Sequence, residues 1–116
     1  MGMFEELKSL GVNVDDGMKR FMGNASLYEK MLKTFPNMAK SAEITLDFDC
    51  NAYAEIIEKA HAIKGATGNL SIAPLYRAYT EIVQLLREDK PERAKEVLKE
   101  VLPIQMDIIQ CIEKYI

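Results

Sequence analysis

A chain of 116 residues, 48% hydrophobic and 28% charged, has the length and balance of one folded domain over residues 1–116, with a core that needs neither disulfide nor metal. The net charge of −3, with bases interleaved among acids as in Glu92-Arg93-Ala94-Lys95-Glu96, argues against nucleic acid as the main partner. No apolar run nears the roughly 20 residues that span a bilayer, no signal peptide is recognisable where Glu5, Glu6 and Lys8 interrupt the first ten residues, and Cys50 and Cys111 form no CxxC pair. The expectation is a cytoplasmic protein with no membrane partner and no cofactor.

Strand signals are nearly absent, and helix signals recur along the whole chain. Met3 to Leu10 reads as a short amphipathic helix stopped by Gly11. A second short helix is predicted over Asp15 to Phe21, with Asp15 as its cap and Gly23-Asn24 as its terminator. Leu27, Met31, Phe35 and Met38 fall on one helical face, predicting a helix from Ala25 to about Leu46 that kinks or breaks near Thr34 because of Pro36. Asp49 is expected to cap a helix from Cys50 to about Asn69, and Ser71 to cap another from Ile72 to about Glu88, with Pro74 tolerated in its first turn. Asp89, Pro91 and Glu92 open the last helix in a capping-box pattern. That helix turns Val97, Leu98, Val101, Leu102, Met106, Ile109 and Ile112 to the core and should bend at Pro103. Met18, Met22, Met31 and Met38 are read as core, and the two cysteines as small, soft core or near-surface residues. The fold class is all-α: an antiparallel four-helix bundle with the short N-terminal helices covering one end.

The helix around His61 carries the most information. Tyr53, Ile56, Ala60, Ile63, Thr67 and Leu70 alternate spacings of three and four and form one core-facing stripe. At about 100° per residue, His61, the chain's one histidine, points roughly 130° from the centre of that stripe, onto the outer surface. A buried structural histidine fits this geometry poorly. Ile57, Lys64, Gly65 and Gly68 share its side of the helix. Each glycine in an exposed helix interior costs about 1 kcal/mol relative to alanine, so propensity does not choose them; they clear space for a partner to approach the imidazole. Gly68 fits the alternative of close helix packing better than Gly65 does. Lys64 places a cation one turn from the ring, suited to a phosphoryl group as a point charge. Neutral imidazole is nucleophilic near neutral pH. No Gly-rich phosphate loop, Walker pattern or kinase signature is present, so the group must come from another protein.

The run His61-Ala62-Ile63-Lys64-Gly65-Ala66-Thr67-Gly68-Asn69-Leu70-Ser71 resembles the signature of histidine-containing phosphotransfer domains: histidine, any residue, an aliphatic, Lys-Gly, four variable positions, an aliphatic and a small residue. Glu81 falls where that family often has an acid on the following helix, while Thr80 departs from the commoner leucine. Met18 to Asn24 and Leu27 to Phe35 are similar to the family's first helical stretch, so the resemblance covers nearly the whole chain. It implies a phosphocarrier rather than an enzyme, phosphorylated on His61 Nε2 with Lys64 stabilising the phosphate. It further implies that a response-regulator receiver domain docks over the helix and supplies the aspartate and Mg²⁺, with a sensor or hybrid histidine kinase upstream. Gly65 would clear the approach, and Ile57, Gly68 and Asn69 would meet the partner; Asn69 reads equally well as a polar helix C-terminus. Two other classes are weighed. One is an interaction bundle that binds a partner without phosphotransfer. The other is a hydrolase using His61 as base, disfavoured because neither an orienting acid nor a pocket is visible beside it; Glu58 lies about 60° round the helix. The Met1 start and helical end at Ile116 favour a free-standing protein, and a one-helix site needs no dimer, so a monomer is expected.

Overall fold

The computed structural model describes residues 2–116; Met1 lies outside the described residues. Seven helices and no strand occur among them: α1 (Met3–Ser9), α2 (Val14–Arg20), α3 (Ala25–Leu32), α4 (Phe35–Ser41), α5 (Ala54–Asn69), α6 (Ala73–Arg87) and α7 (Pro91–Glu113). None of these is long and apolar enough to cross a membrane. The all-helical expectation holds. The molecule measures 44 × 24 × 21 Å, and its long axis follows from α7, whose 23 residues span about 35 Å at 1.5 Å per residue.

α6 packs against both α5 and α7, with three-residue links over 70–72 and 88–90 returning the chain each time. Leu75, Tyr79, Ile82 and Leu86 recur at helical spacing along α6 and are at most 1% exposed. They meet Ala60 and Ile63 of α5 and Leu98, Val101, Ile108 and Ile112 of α7 in one continuous apolar cluster, which also takes in Met3 and Leu7 of α1. Cys111 is buried in it, Cys50 packs partly against it, and both thiols are free. α7 runs through Pro103 without interruption; Pro103 and Lys99 are both exposed, so the carbonyl deprived of its partner faces water.

Four helices end in the same way. In α1, α2, α5 and α6 the third residue past the helix donates its N–H to a carbonyl in the last turn, through Val12 to Leu7, Gly23 to Met18, Ile72 to Thr67 and Lys90 to Leu85, at 2.8–3.0 Å. The residue between adopts positive φ: Gly11, Met22, Ser71 and Asp89. This corrects two predicted caps. Ser71 and Asp89 do not open α6 and α7, neither of which has a side-chain cap bond; they close α5 and α6 in left-handed geometry. A short polar side chain that reads as an N-cap also tolerates the position after a helix, so local sequence leaves the two roles confusable. Asn13, not Asp15, caps α2, its Oδ1 accepting from Asp16 N at 3.1 Å, and Asn24 caps α3 in the same way.

The predicted third helix breaks at Thr34 as expected, with Pro36 in the first turn of α4, where its missing N–H has no intrahelical partner to lose. The buried face, however, is Tyr28, Leu32, Phe35 and Ala39. Leu27 and Met31 lie one position off it and remain 42% and 38% exposed. Met22, at its left-handed turn, is 94% exposed, and Met106 is 55% exposed, so these methionines leave the predicted core; Met18 and Met38 pack against it. The helix also stops at Ser41, short of Leu46. Residues 42–53 form turns that pin Ile44 and Phe48 into the core. There the Asp49 carboxylate accepts from Asn51 N at 2.8 Å and Thr45 bonds Asp47, local bonds that compete with a helix, so α5 begins at Ala54 rather than Cys50 and Asp49 does not cap it.

Candidate functional site

The core stripe of α5 lies where the spacing put it: Ala60, Ile63, Thr67 and Leu70 are buried, and Tyr53 and Ile56 are half-buried against the cluster. Thr67, the polar member, returns its hydroxyl to Ile63 O at 2.8 Å and leaves no orphan donor. His61 is consequently exposed on the opposite side. The end of α5 is fixed from outside by Tyr28, fully buried between the rings of Phe4 and Phe21, whose hydroxyl donates to Leu70 O at 2.7 Å. Burial pushes that phenol up to about 12, so it remains a donor at any physiological pH.

His61 lines a shallow cleft of about 400 Å³ between α5, α2 and the start of α6. Lys64, Gly65, Gly68 and Asn69 line it with His61, as the helical offsets require. Ile57 does not: it is half-buried and packs against the core upstream of the cleft. The two glycines differ. A Cβ on Gly65 would meet nothing within 4 Å, whereas one on Gly68 would sit 2.9 and 3.0 Å from ring carbons of Tyr76 on α6. Gly65 is open surface beside the imidazole, and Gly68 is a packing glycine that admits the Tyr76 ring. Glu81 is exposed on α6 and is not among the residues lining the cleft.

The opposite wall comes from residues that sequence spacing could not bring here. Asp16 and Arg20 reach it from α2, one turn apart on the same face, and Ser71 from the turn that ends α5. Asp16 Oδ2 accepts from Arg20 Nε at 2.9 Å and from the Ser71 hydroxyl at 2.6 Å. The Ser71 hydroxyl, followed by the Arg20 guanidinium, holds the Asp16 carboxyl below the usual carboxylate range. Asp16 is thus an acid in the same cleft as His61, but its bonding oxygen is engaged, and among the described residues no hydrogen bond orients the His61 ring. The only available signal was the i,i+4 pair Asp16–Arg20, which ordinarily marks a solvated helix face.

A second groove of about 490 Å³ adjoins the first, sharing Arg20 and Asn69, and is lined further by Phe21, Met31, Thr34 and Ala66. Met31, which missed the core on α3, therefore flanks the histidine cleft. Among the described residues no group of three acidic, cysteine or histidine side chains is placed to hold a metal ion. Compared with known proteins, the chain matches no protein-family model, no curated protein and no solved structure.

Proposed function

We propose that this chain is a phosphocarrier of a multistep phosphorelay, taking a phosphoryl group on His61 from an aspartyl phosphate of a receiver domain and returning it to such a site. The observation that carries the reading is the placement of His61: an exposed imidazole at mid-helix, with Lys64 in the same cleft and open surface at Gly65. In the transfer, the lone pair of the unprotonated ring nitrogen, Nε2 by the family resemblance, forms the N–P bond as the acyl O–P bond breaks. The bonding pair leaves on the aspartate carboxylate, and the ring takes up the positive charge. Lys64 offsets the charge of the phosphoryl oxygens. The receiver brings the aspartate and its Mg²⁺, and a sensor or hybrid kinase charges the relay upstream.

In this reading residues 1–116 form one domain, monomeric and cytoplasmic. α3 with α4, α5, α6 and α7 make an antiparallel four-helix bundle, its first helix broken at Thr34, with α1 and α2 covering one end. A receiver settles over Gly65 and the groove lined by Met31 and Asn69. That apolar flank also favours the second reading, a module that binds a receiver or kinase without accepting phosphate. Incubation with a phosphorylated receiver domain separates the two. Acid-labile, base-stable label on the chain, absent in His61→Gln, is the expected result. Stable binding with no label on the wild type supports the interaction module, and label that persists in His61→Gln overturns His61 as the acceptor.

A further inference from the structure

Resting on the phosphocarrier reading, we infer that Arg20 is a second cation for the phosphoryl group on His61, aimed into the cleft by Asp16 and, through it, by Ser71. Arg20 and His61 line the same cleft from different helices. The guanidinium is held at one end only: its Nε donates to Asp16 Oδ2 at 2.9 Å, and among the described residues its two terminal nitrogens have no hydrogen-bond partner in the chain. A guanidinium fixed at Nε presents the terminal pair as a fork, the geometry that grips two phosphoryl oxygens at once. With the side chain 52% exposed, a solvated arginine would sample many rotamers; the bond to Asp16 favours those that keep Nε against α2.

The rest of the wall supports this role. The Asp16 carboxylate alone would repel a phosphoryl group in the same cleft. Its Oδ2 receives both Arg20 and the Ser71 hydroxyl, so its charge is offset within the wall. Ser71 holds φ +58 at the end of the histidine helix, a conformation that non-glycine residues adopt at a cost of about 1–3 kcal/mol. A glycine there would satisfy the turn more easily but has no hydroxyl for Asp16. Arg20 thus acts on the phosphoryl oxygens, while Asp16 and Ser71 are positioning residues. The family signature used above assigns a role to Lys64 and none to this wall.

The test uses the whole chain and phosphoramidate, a small donor whose N–P bond breaks as that of His61 forms, releasing ammonia, so that no partner's docking is involved. Arg20→Ala should take up label roughly 3- to 10-fold more slowly and lose it faster. Arg20→Lys should recover part of the rate, and Lys19→Ala, the same charge change one residue away, should match wild type. Asp16→Asn should slow labelling when Arg20 is present and speed it in the Arg20→Ala background, where an unopposed carboxylate is being removed. A merely structural Asp16 would slow both. Should Arg20→Ala fail to fold, the Nε–H resonance of Arg20 in the wild type decides: it shifts on phosphorylation of His61, or the inference is wrong. Equal rates for folded Arg20→Ala and Lys19→Ala, with the wild type labelled on His61, overturn the role of Arg20 alone. A wild type that takes no label from phosphoramidate or from a phosphorylated receiver overturns the carrier reading and this inference with it.

Discussion

Gly65 and Gly68 occupy the same helix, one turn apart and beside the same imidazole, yet alanine should act on them with different sign. At Gly65 the new methyl meets nothing within 4 Å, so the change is one of helix propensity alone, a gain of about 0.8–1 kcal/mol. An unfolding entropy of about 2.1 cal/mol/K per residue over the 116-residue chain makes 1 kcal/mol equal to roughly 4 °C in Tm. At Gly68 the same gain is opposed by a contact of 2.9 Å with Cε1 of Tyr76. Overpacking costs about 1–3 kcal/mol; Tyr76 is 41% exposed and free to swing, which puts the cost toward the lower end. Gly65→Ala should therefore raise Tm by about 4 °C, and Gly68→Ala should leave it level or lower it by a few degrees. Adding Gly68→Ala to Tyr76→Ala should restore the full gain. Calorimetry on the four variants against their backgrounds decides it. A Tm raised equally by both single changes, or lowered by Gly65→Ala, would refute the assignment of one glycine to clearance and the other to packing. In the phosphocarrier reading the Gly65→Ala protein, though more stable, should be charged more slowly by a receiver, because its methyl would stand where the partner approaches.

Three further outcomes follow from the same contacts. Gly17→Ala should lower stability by about 3 kcal/mol, because its methyl would overlap Cζ and Oη of Tyr28, a ring with no freedom between Phe4 and Phe21 and whose bond to Leu70 O would be lost with any shift; urea unfolding that moves by less than about 0.5 kcal/mol would refute this. Glu6 accepts from both Lys114 and Tyr115, which tie the C-terminus to α1 and hold its carboxyl below the ordinary 4.5. That stabilisation is present above pH 4.5 and lost as pH falls through the lowered value, so the Tm gap between wild type and Glu6→Gln should narrow from pH 7 to pH 3; a constant gap would show that the charge contributes nothing. In the phosphocarrier reading Lys64→Ala should shorten the phosphohistidine lifetime while leaving thermal stability within about 0.5 kcal/mol, since the half-buried Lys64 side chain makes no hydrogen bond or ion pair among the described residues; unchanged lifetime and transfer rate would remove Lys64 from the site.

Periodicity was enough to read the wall of the site that lies on one helix. Stripe and histidine are both fixed by 100° steps along α5, so His61, Lys64 and Gly65 follow from spacing once Ala60 and Ile63 are buried. The other wall was illegible because Asp16 and Arg20 are joined to it only by tertiary packing, and their spacing matches that of any solvated ion pair. Gly17 carries no signal in the local sequence; only the arrival of Tyr28 from α3 makes it obligatory. The α3 face was misassigned because Leu27 and Met31 are as apolar as Tyr28 and Leu32, and period alone does not choose between adjacent stripes. The helix ends failed differently: Ser71 and Asp89 are short polar residues at boundaries, and the same chemistry serves the end of one helix or the start of the next.

The turn at Ser71 has a consequence for how lesions in this protein would present. Its backbone reverses the chain after α5, and its hydroxyl reaches across to α2. In the phosphocarrier reading, folding and chemistry therefore share a single position. A glycine at residue 71 relaxes the left-handed turn but removes the hydroxyl bond to Asp16, so the two effects on stability offset, while Arg20 is left bonded to a carboxylate held less firmly; in the phosphocarrier reading such a protein melts close to wild type and carries phosphate less well. On that reading a screen on stability alone would retain the change, and a screen on phosphate transfer would discard it.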